Sequence, residues 1–350
     1  MRADPKASLK IGVLMGGPSP EHAISLKSGR GVAEALAARG WAVQPILLPN
    51  DVSVDEAQAA CRSILLRDVI DVAFIALHGP FGEDGTVQRL LDDLQIRYTG
   101  SDAASSALGM DKLASRQRFA AAGLAVPRWR LIERGRLSTE EVELAIRGFQ
   151  MPVVVKPTNQ GSSIGVSIVT ESAQLAPALE EAFRYDAHVL VEAFVRGREL
   201  TVGIVGDEVL PVIEVRPKHA FFDYAAKYTP GQTEYLVPAP ISPALAAQAQ
   251  HAARRAHQAL GCRHFSRVDL IAADDGVPVV LEVNTIPGMT AMSLLPKAAA
   301  CRRQSYDELC EQIVLMACAD ARRRSPAGVA SHRGARRPAG FRRPSAHSLR

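Results

Sequence analysis

Short apolar runs alternate with amphipathic stretches over the first hundred residues of the chain. Residues 10–15, 43–48 and 70–77 are continuous apolar runs, the pattern of strands that are buried on both faces of a parallel sheet. Residues 25–39 place alanine and leucine at helical spacing, and Gly40 follows as a stop signal. This alternation predicts an open parallel α/β domain over residues 1–108, in which ligands bind at the carboxyl ends of the strands.

The pattern changes beyond residue 108. Helical spacing in two segments precedes a series of apolar runs that predict short, largely antiparallel strands, at residues 153–156, 166–169, 189–195, 199–205 and 209–215. We therefore expect an α/β domain followed by two α+β domains, over residues 109–196 and 197–320. Residues 218–240 show little periodicity, and a stretch of that length within a compact domain is typical of a functional or mobile loop.

The net charge of +4 is set by the end of the chain. Nine of the 41 basic residues are arginines within residues 322–350, and no acidic residue follows Asp320. Subtracting those nine leaves 32 basic residues against 37 acidic ones, so the rest of the chain is acidic. Segment 321–350 is also rich in Pro, Gly, Ala and Ser, which predicts a disordered basic tail. We expect no nucleic-acid partner for the body, and only the tail is suited to a polyanion.

Composition also argues against several classes of protein. No run approaches the roughly 20 apolar residues of a membrane span, and residues 1–10 lack the apolar centre of a secretion signal, which favours a cytoplasmic protein without membrane contact. The five cysteines are odd in number and form no C-x-x-C pair, which argues against a disulfide framework or a zinc site. The glycines after the first strand lack the G-x-G-x-x-G spacing of a nicotinamide dinucleotide site.

The most informative segment is an acidic hairpin over residues 267–284. Two alternating strands flank the dipeptide Asp275-Gly276, which is typical of a two-residue hairpin loop. Such a loop pairs positions whose numbers sum to 551, so Asp269 is predicted to lie opposite Glu282. The side-chain period of two adds another opposed pair to the same face, Arg267 and Asn284.

This face of the hairpin predicts a metal site. Two carboxylates whose Cβ atoms are about 5 Å apart repel each other unless a cation lies nearby. Carboxylate and amide oxygens suit Mg²⁺, which also takes ligands from substrate phosphates, and an adjacent arginine suits a phosphoryl group or an oxyanion. The alternative is a solvated face with fortuitous acids, and a register slip of one residue would separate the pair.

A Gly/Ser loop over residues 158–165 joins two predicted strands. It does not open into a helix, so it is not a Walker A loop, but the backbone N–H groups of such a loop can still bind phosphate. Lys156 ends the preceding strand and is placed to join the loop. A plain β-turn is the alternative, and the loop alone does not separate the two.

Taken together, these segments resemble the D-alanine–D-alanine ligase family of the ATP-grasp superfamily over residues 10–319. The matching motifs are Gly16-Gly17…Ser19-Pro20-Glu21, His78-Gly79-x-x-Gly82-Glu83-Asp84-Gly85, Met110-Asp111-Lys112, Lys156-Pro157-x-x-x-Gly161-Ser162-Ser163, Tyr224-x-x-Lys227-Tyr228, Arg267-x-Asp269 and Glu282-x-Asn284-Thr285-x-Pro287-Gly288-Met289-Thr290. Each motif is weak alone, but the ordered set is specific. The resemblance implies an ATP-grasp fold with an N-terminal open parallel α/β (pre-ATP-grasp) domain, a central domain and a C-terminal domain, the last two binding ATP between them.

The reaction is implied by the resemblance as well. ATP phosphorylates the carboxylate of one D-alanine, and the amine of a second attacks the acyl phosphate to give D-alanyl-D-alanine for peptidoglycan synthesis. Phosphorylation supplies a leaving group that a free carboxylate lacks, and charge neutralisation by metal and arginine suits that step. Two Mg²⁺ or Mn²⁺ ions and a homodimer are also implied.

Roles for individual residues follow from the resemblance alone. The metal ligands would be Asp269, Glu282 and Asn284. ATP would be contacted at its phosphates by Lys112, Lys156 and Lys227, and at adenine and ribose by Glu192 and Glu199. The first substrate would be bound by Glu21, linked to Ser162 and Tyr228, with His78 beside it. The tetrahedral intermediate would be stabilised by Arg267 and the Gly288 amide, and the second carboxylate would be received by Ser293 and Leu294.

Three other functions stay open at this point. One is a sister ligase that joins D-alanine to D-lactate or D-serine, although Tyr228 argues against D-lactate. Another is a different carboxylate–amine ligase of the ATP-grasp kind, which would share the metal hairpin but not Glu21 or His78-Gly79. The third is a non-catalytic nucleotide-binding regulator whose tail engages nucleic acid, and the complete set of metal ligands argues against it.

Overall fold

Three β-sheets organise the protein in the computed structural model, which describes residues 6, 8–135, 139–218 and 232–320. The predicted site residues Lys227 and Tyr228 and the arginine-rich tail lie outside the described residues. Within these ranges, no helix combines the length and the apolar character that crossing a bilayer requires.

The N-terminal sheet has four parallel strands in the order β2-β1-β3-β4. Its strands are β1 (Lys10–Gly16), β2 (Ala42–Leu48), β3 (Val72–Ile75) and β4 (Arg97–Tyr98). Its helices are α1 (His22–Ala38), α2 (Val54–Arg67), α3 (Thr86–Asp93) and α4 (Ala103–Met110). β1 and β3 are buried almost throughout, as their continuous apolar runs predict. The loops that carry Glu21 and His78 follow the carboxyl ends of these two strands.

The central sheet is antiparallel, in the order β5-β8-β6-β7. Its strands are β5 (Trp129–Glu133), β6 (Val153–Pro157), β7 (Ser167–Val169) and β8 (His188–Ala193). The helices of this part are α5 (Lys112–Ala121), α6 (Thr139–Ile146) and α7 (Leu175–Phe183), with a short 3₁₀ helix over Ser172–Gln174. Asp111 caps α5 by accepting hydrogen bonds from the N–H groups of Leu113 and Ala114, and so fixes where Lys112 begins the helix.

The C-terminal sheet has six antiparallel strands, in the order β12-β11-β9-β13-β14 with β10 paired to β9. Its strands are β9 (Gly197–Val205), β10 (Glu208–Val209), β11 (Ile213–Pro217), β12 (Thr233–Leu236), β13 (Phe265–Ala273) and β14 (Pro278–Asn284). The helices are α8 (Pro243–Ala259), α9 (Leu294–Ala300) and α10 (Tyr306–Ala319). α8 packs with α5 against one face of this sheet. The other face carries Arg267 and Asp269 and also packs against α9.

Helix α10 returns to the N-terminal part and packs in one core with α1 and β1. Its Glu311 carboxylate accepts hydrogen bonds from Arg39 Nε at 2.5 Å and Trp41 Nε1 at 3.0 Å, and Lys6 Nζ lies 2.6 Å away. Burial raises the pKa of Glu311, but these three donors outweigh burial and bring it to about 2. The N-terminal part and the last described helix are therefore joined by a partly buried ionic contact.

The acidic hairpin differs from its prediction near the turn. Ala273 N–H bonds to the carbonyl of Val277 at 3.0 Å, so the loop has three residues, 274–276, and the expected two-residue loop is wrong. Gly276 has a φ of 83°, the left-handed conformation that such three-residue loops require. Leu270 consequently pairs with Val280, one position short of the predicted register.

A β-bulge restores the predicted register before the functional face is reached. Asp269 pairs with Glu282, whereas the next residue of β13 pairs with Val280, so Leu281 is the extra residue of β14. Asp269 lies opposite Glu282, and Arg267 lies opposite Asn284, as the sequence predicted. The pairing is right because the loop and the bulge shift the register in opposite directions.

Candidate active site

A cavity of about 1120 Å³ lies where the three sheets meet. Ten of the residues predicted for the site line it: Glu21, His78, Lys112, Ser162, Arg267, Glu282, Asn284, Gly288, Ser293 and Leu294. Four others are not among its lining residues: Lys156, Glu192, Glu199 and Asp269. Residues far apart in the chain therefore share one cavity, although their individual roles stay predictions.

Glu21 and Ser162 meet at one end of the cavity. Ser162 Oγ donates a 2.6 Å hydrogen bond to Oε1 of Glu21, whose residue surface is only 9% exposed. Ser162 and Ser163 have φ values of 51° and 61°, a left-handed turn that is costly for residues other than glycine. The Gly/Ser loop thus holds a hydroxyl against a carboxylate of the N-terminal part, an arrangement suited to an ammonium ligand.

His78 lies beneath this carboxylate and is almost fully buried. Its Nδ1 is 3.2 Å from the carbonyl oxygen of Ile286, and its Nε2 is 3.3 Å from Oγ of Ser28. Burial opposes a charge on the imidazole, but the Glu83 carboxylate, 3.8 Å away, together with Glu21 and the Ile286 carbonyl outweighs burial and raises the pKa of His78. His78 therefore links the N-terminal sheet to the loop after β14.

The Asp269 carboxylate is surrounded by donors. Arg267 binds it in a forked arrangement, through Nε at 2.9 Å and Nη2 at 2.8 Å. Thr201 Oγ1 donates at 2.5 Å from the neighbouring strand β9, and Asn284 Nδ2 donates at 3.0 Å. The predicted face is therefore one hydrogen-bonded network, and the position of Arg267 is fixed by it.

The oxygen donors of this face suit Mg²⁺ or Mn²⁺. In the described ranges, no three or more His, Cys, Asp and Glu side chains form a group that could hold a metal ion. A cation at this face therefore needs the Asn284 amide or substrate oxygens in addition to the Asp269 and Glu282 carboxylates. Glu282 is the more open acid, with 30% of its side chain exposed, and Lys112 Nζ lies 3.7 Å away. Holding a cation requires Asp269 to share its oxygens with Arg267, and Asn284 to present its carbonyl oxygen.

The predicted nucleotide contacts form a second charged cluster. Lys156 Nζ lies 2.8 Å from Oε2 of Glu192, and burial lowers the pKa of Lys156 despite that carboxylate. Lys112 Nζ donates to the carbonyl of Gln160, which brings it to the Gly/Ser loop. Glu199 is opposite Ile271 on β13, on the same face of β9 as Thr201.

Ser293 also lines the cavity. Its Oγ accepts a hydrogen bond from Thr290 N–H at 3.0 Å and lies 2.8 Å from Thr290 Oγ1. A Cβ at Gly288 would come within 3.1 Å of that oxygen, so the close approach favours glycine there. This hydroxyl is held in place before α9 and faces the same cavity as Arg267.

Comparison with known proteins identifies the family. Family models described as "D-ala D-ala ligase N-terminus" and "D-ala D-ala ligase C-terminus" match residues 53–101 and 119–315. The D-alanine–D-alanine ligase of Geotalea uraniireducens is 46% identical over 317 residues, which cover 91% of this chain and 98% of the relative. This chain belongs to the D-alanine–D-alanine ligase family. The ligase of Trichlorobacter lovleyi is 44% identical over 330 residues, or 94% of this chain and 100% of the relative.

Solved structures of the D-alanine–D-alanine ligase family share the fold. The Bacillus anthracis ligase complexed with ATP has a TM-score of 0.75 at 33% identity, covering 89% of this chain and 98% of its own. The VanG D-Ala:D-Ser ligase of Enterococcus faecalis has a TM-score of 0.76 at 30% identity, covering 88% and 99%. The predicted ATP-grasp fold is confirmed.

Sequence reasoning missed three residues of this family member's site. Thr201 contacts Asp269 from the neighbouring strand, and Arg116 contacts Glu192 from α5. Lys297 Nζ lies 4.7 Å from the ring centre of Tyr235 and also lines the cavity, and burial lowers its pKa. Lys297 could have been predicted from the sequence, because it lies one helical turn after Ser293. Thr201 and Arg116 could not, because their contacts are with residues distant in the chain.

Proposed function

We propose that this chain joins two D-alanine molecules to D-alanyl-D-alanine at the expense of ATP, with release of ADP and phosphate, to supply a peptidoglycan precursor. Full-length similarity to ligases of this name supports the proposal. The observation that carries it is the shared cavity, in which Glu21, the Arg267 face and Ser293 are neighbours. An ammonium site, a phosphoryl site and a carboxylate site are thereby adjacent.

The side chains divide the chemistry between them. Glu21, held by Ser162, binds the ammonium of the first D-alanine and orients its carboxylate toward ATP. Lys112, Lys156 and Lys227 neutralise the phosphates, while Glu192 and Glu199 contact adenine and ribose. Mg²⁺ or Mn²⁺, held by Asp269, Glu282 and Asn284, would supply further charge neutralisation for phosphoryl transfer.

Peptide-bond formation also uses the residues that follow β14. Ser293 and the Leu294 N–H receive the carboxylate of the second D-alanine and so direct its amine to the acyl phosphate. Arg267 and the Gly288 N–H stabilise the oxyanion of the tetrahedral intermediate. Tyr228 completes the network with Ser162 and Glu21. Closure of the loop that carries Tyr228 excludes water, which would otherwise hydrolyse the acyl phosphate.

ADP release across a panel of substrates tests this function. With ATP and Mg²⁺, the purified protein is expected to release ADP only when D-alanine is present, and to form D-alanyl-D-alanine. D-Lactate and D-serine, each supplied together with D-alanine, test whether the protein instead joins D-alanine to one of these. The D-serine alternative is included because the VanG D-Ala:D-Ser ligase shares the fold. Equal turnover with D-lactate at neutral pH, or preferred incorporation of D-serine, would contradict the assignment.

Assembly and location belong to the same proposal. We infer a cytoplasmic homodimer, because the family resemblance implies a dimer and the precursor is made from cytoplasmic ATP. Light scattering coupled to gel filtration tests the dimer, and a single-chain mass would contradict it. Deleting residues 322–350 tests the tail: ligase activity is expected to survive, and any retention on nucleic acid to be lost.

A further inference from the structure

The Arg116 guanidinium is buried beyond the reach of solvent. Arg116 lies on α5 with 0% of its surface exposed and is the largest fully buried side chain of the described residues. Its Nε and Nη1 have no hydrogen-bond partner in the described ranges. Because an apolar residue of similar volume often stabilises a core as well as a buried ion pair does, an incompletely bonded arginine points to a use other than stability.

Arg116 contacts both sheets that flank the predicted nucleotide site. Its Nη2 lies 2.8 Å from Oε1 of Glu192 on β8 and donates a 3.3 Å hydrogen bond to the carbonyl oxygen of Leu281 on β14. Leu281 is the bulge residue and immediately precedes Glu282. One guanidinium therefore joins the strand that carries the predicted adenine contact to the strand that carries a predicted metal ligand.

Glu192 is contacted by two cations, Arg116 and Lys156, and only Lys156 is also predicted to contact a phosphate. Lys156 Nζ contacts Oε2 of Glu192 at 2.8 Å, and Glu192 is only 3% exposed. Lys156 is also the residue predicted to contact a phosphate. When Lys156 turns to that phosphate, Arg116 is the cation that stays at 2.8 Å from Glu192 and holds its carboxylate in place.

Resting on the ligase function proposed above, we infer that Arg116 is a positioning residue for ATP. Through Glu192 it orients the acceptor for the base, and through the Leu281 carbonyl it holds the bulge that sets the position of Glu282. It touches neither substrate. Lysine cannot replace it, because lysine keeps the charge but lacks the planar head with several donors.

Arg116→Lys is compared with Arg118→Lys, which changes an exposed arginine of the same helix. ATP binding is measured by titration calorimetry with Mg²⁺ and without amino acids, beside thermal unfolding. We expect Arg116→Lys to weaken ATP binding by about tenfold or more, because a lysine at this position cannot keep both the ion pair with Glu192 and the hydrogen bond to the Leu281 carbonyl. The KM for D-alanine is expected to be unchanged, and Arg118→Lys is expected to bind ATP as the wild type does.

A double-mutant cycle with Glu192→Gln tests the route through Glu192. If Arg116 acts through this carboxylate, Arg116→Lys weakens ATP binding less in the Glu192→Gln background than in the wild type. Strict additivity would overturn that route. Unchanged ATP affinity in Arg116→Lys, whether or not its thermal stability falls, would overturn the inference as a whole.

A second variant and a separate activity assay complete the test. If Arg116→Lys does not fold, the double variant Arg116→Met with Glu192→Gln removes both buried charges, and wild-type ATP affinity in it would overturn the inference. D-Alanine-dependent ADP release by the wild type is measured separately. A protein that binds ATP through Arg116 but fails that assay would contradict the ligase function and leave the role of Arg116 standing.

Discussion

Ser162 donates its hydroxyl to the carboxylate of Glu21 at 2.6 Å, across 141 residues of chain. Glu21 directly precedes α1, and Ser162 belongs to the Gly/Ser loop between β6 and β7. A short hydrogen bond to a carboxylate is among the stronger ones in proteins, so the loop is anchored at the predicted first-substrate site. We therefore expect binding of the first substrate to depend on the conformation of this loop.

Ser162→Ala is predicted to weaken binding of the first D-alanine. A hydrogen bond to a charged group is worth about 1.5–3 kcal/mol, so the first KM should rise about ten- to hundredfold. Initial rates over a wide range of D-alanine concentrations separate the two substrate constants. Ser172→Ala, on the exposed 3₁₀ helix of the same part, is the control and should leave both unchanged. A first KM equal to that of the control would refute the role of Ser162.

Glu282→Gln is predicted to lower turnover by about a hundred- to a thousandfold while the protein stays folded. It removes a carboxylate from the predicted metal site, and the cation held there is what neutralises the negative charge that develops on the phosphoryl group. Asp274→Asn removes the same charge from the exposed loop of the same hairpin and is the matched control. Turnover is measured as ADP release at saturating ATP and over a range of Mg²⁺ concentrations. Near-normal turnover in Glu282→Gln would contradict the metal assignment.

Ser293→Ala is predicted to act on the second D-alanine alone. Its hydroxyl is held by Thr290, so the loss is one hydrogen bond to the substrate carboxylate, about 1.5–3 kcal/mol, with little rearrangement. The second substrate constant should rise while the first constant and ATP affinity hold. A rise in the first constant instead would mean that Ser293 does not serve the second substrate.

Glu311→Gln is predicted to destabilise the protein in a pH-dependent way. The Glu311 pKa is lowered to about 2 in the folded chain, so its contribution to stability is present above the unfolded value near 4.5 and is lost as the pH falls toward 2. Urea unfolding should show a difference in the free energy of unfolding between wild type and variant that is largest at pH 6–7 and smaller at pH 3. Exposed Glu180→Gln on α7 is the control. A gap that does not narrow at low pH would contradict the ionic origin.

Local pattern was sufficient for most elements and for the family. Parallel strands such as β1 and β3 are continuous apolar runs, and α1 and α10 have apolar residues at helical spacing. Both patterns can be recognised in the sequence alone. The opposition of Asp269 and Glu282 was also predicted, although by way of a wrong loop. The ordered motifs, each local, then pointed to the family that the comparisons show.

The sequence by itself determined the elements, the acidic face and the family, because each of these is written in residues close together in the chain. Only the tertiary structure decided what lies across the sheets. Arg116 reaches Leu281 over 165 residues, and Arg39 reaches Glu311 over 272. The bulge that returns Glu282 to its partner is one more such outcome. Contacts of this kind depend on how separate sheets pack, and no local period of hydrophobic and polar residues encodes that.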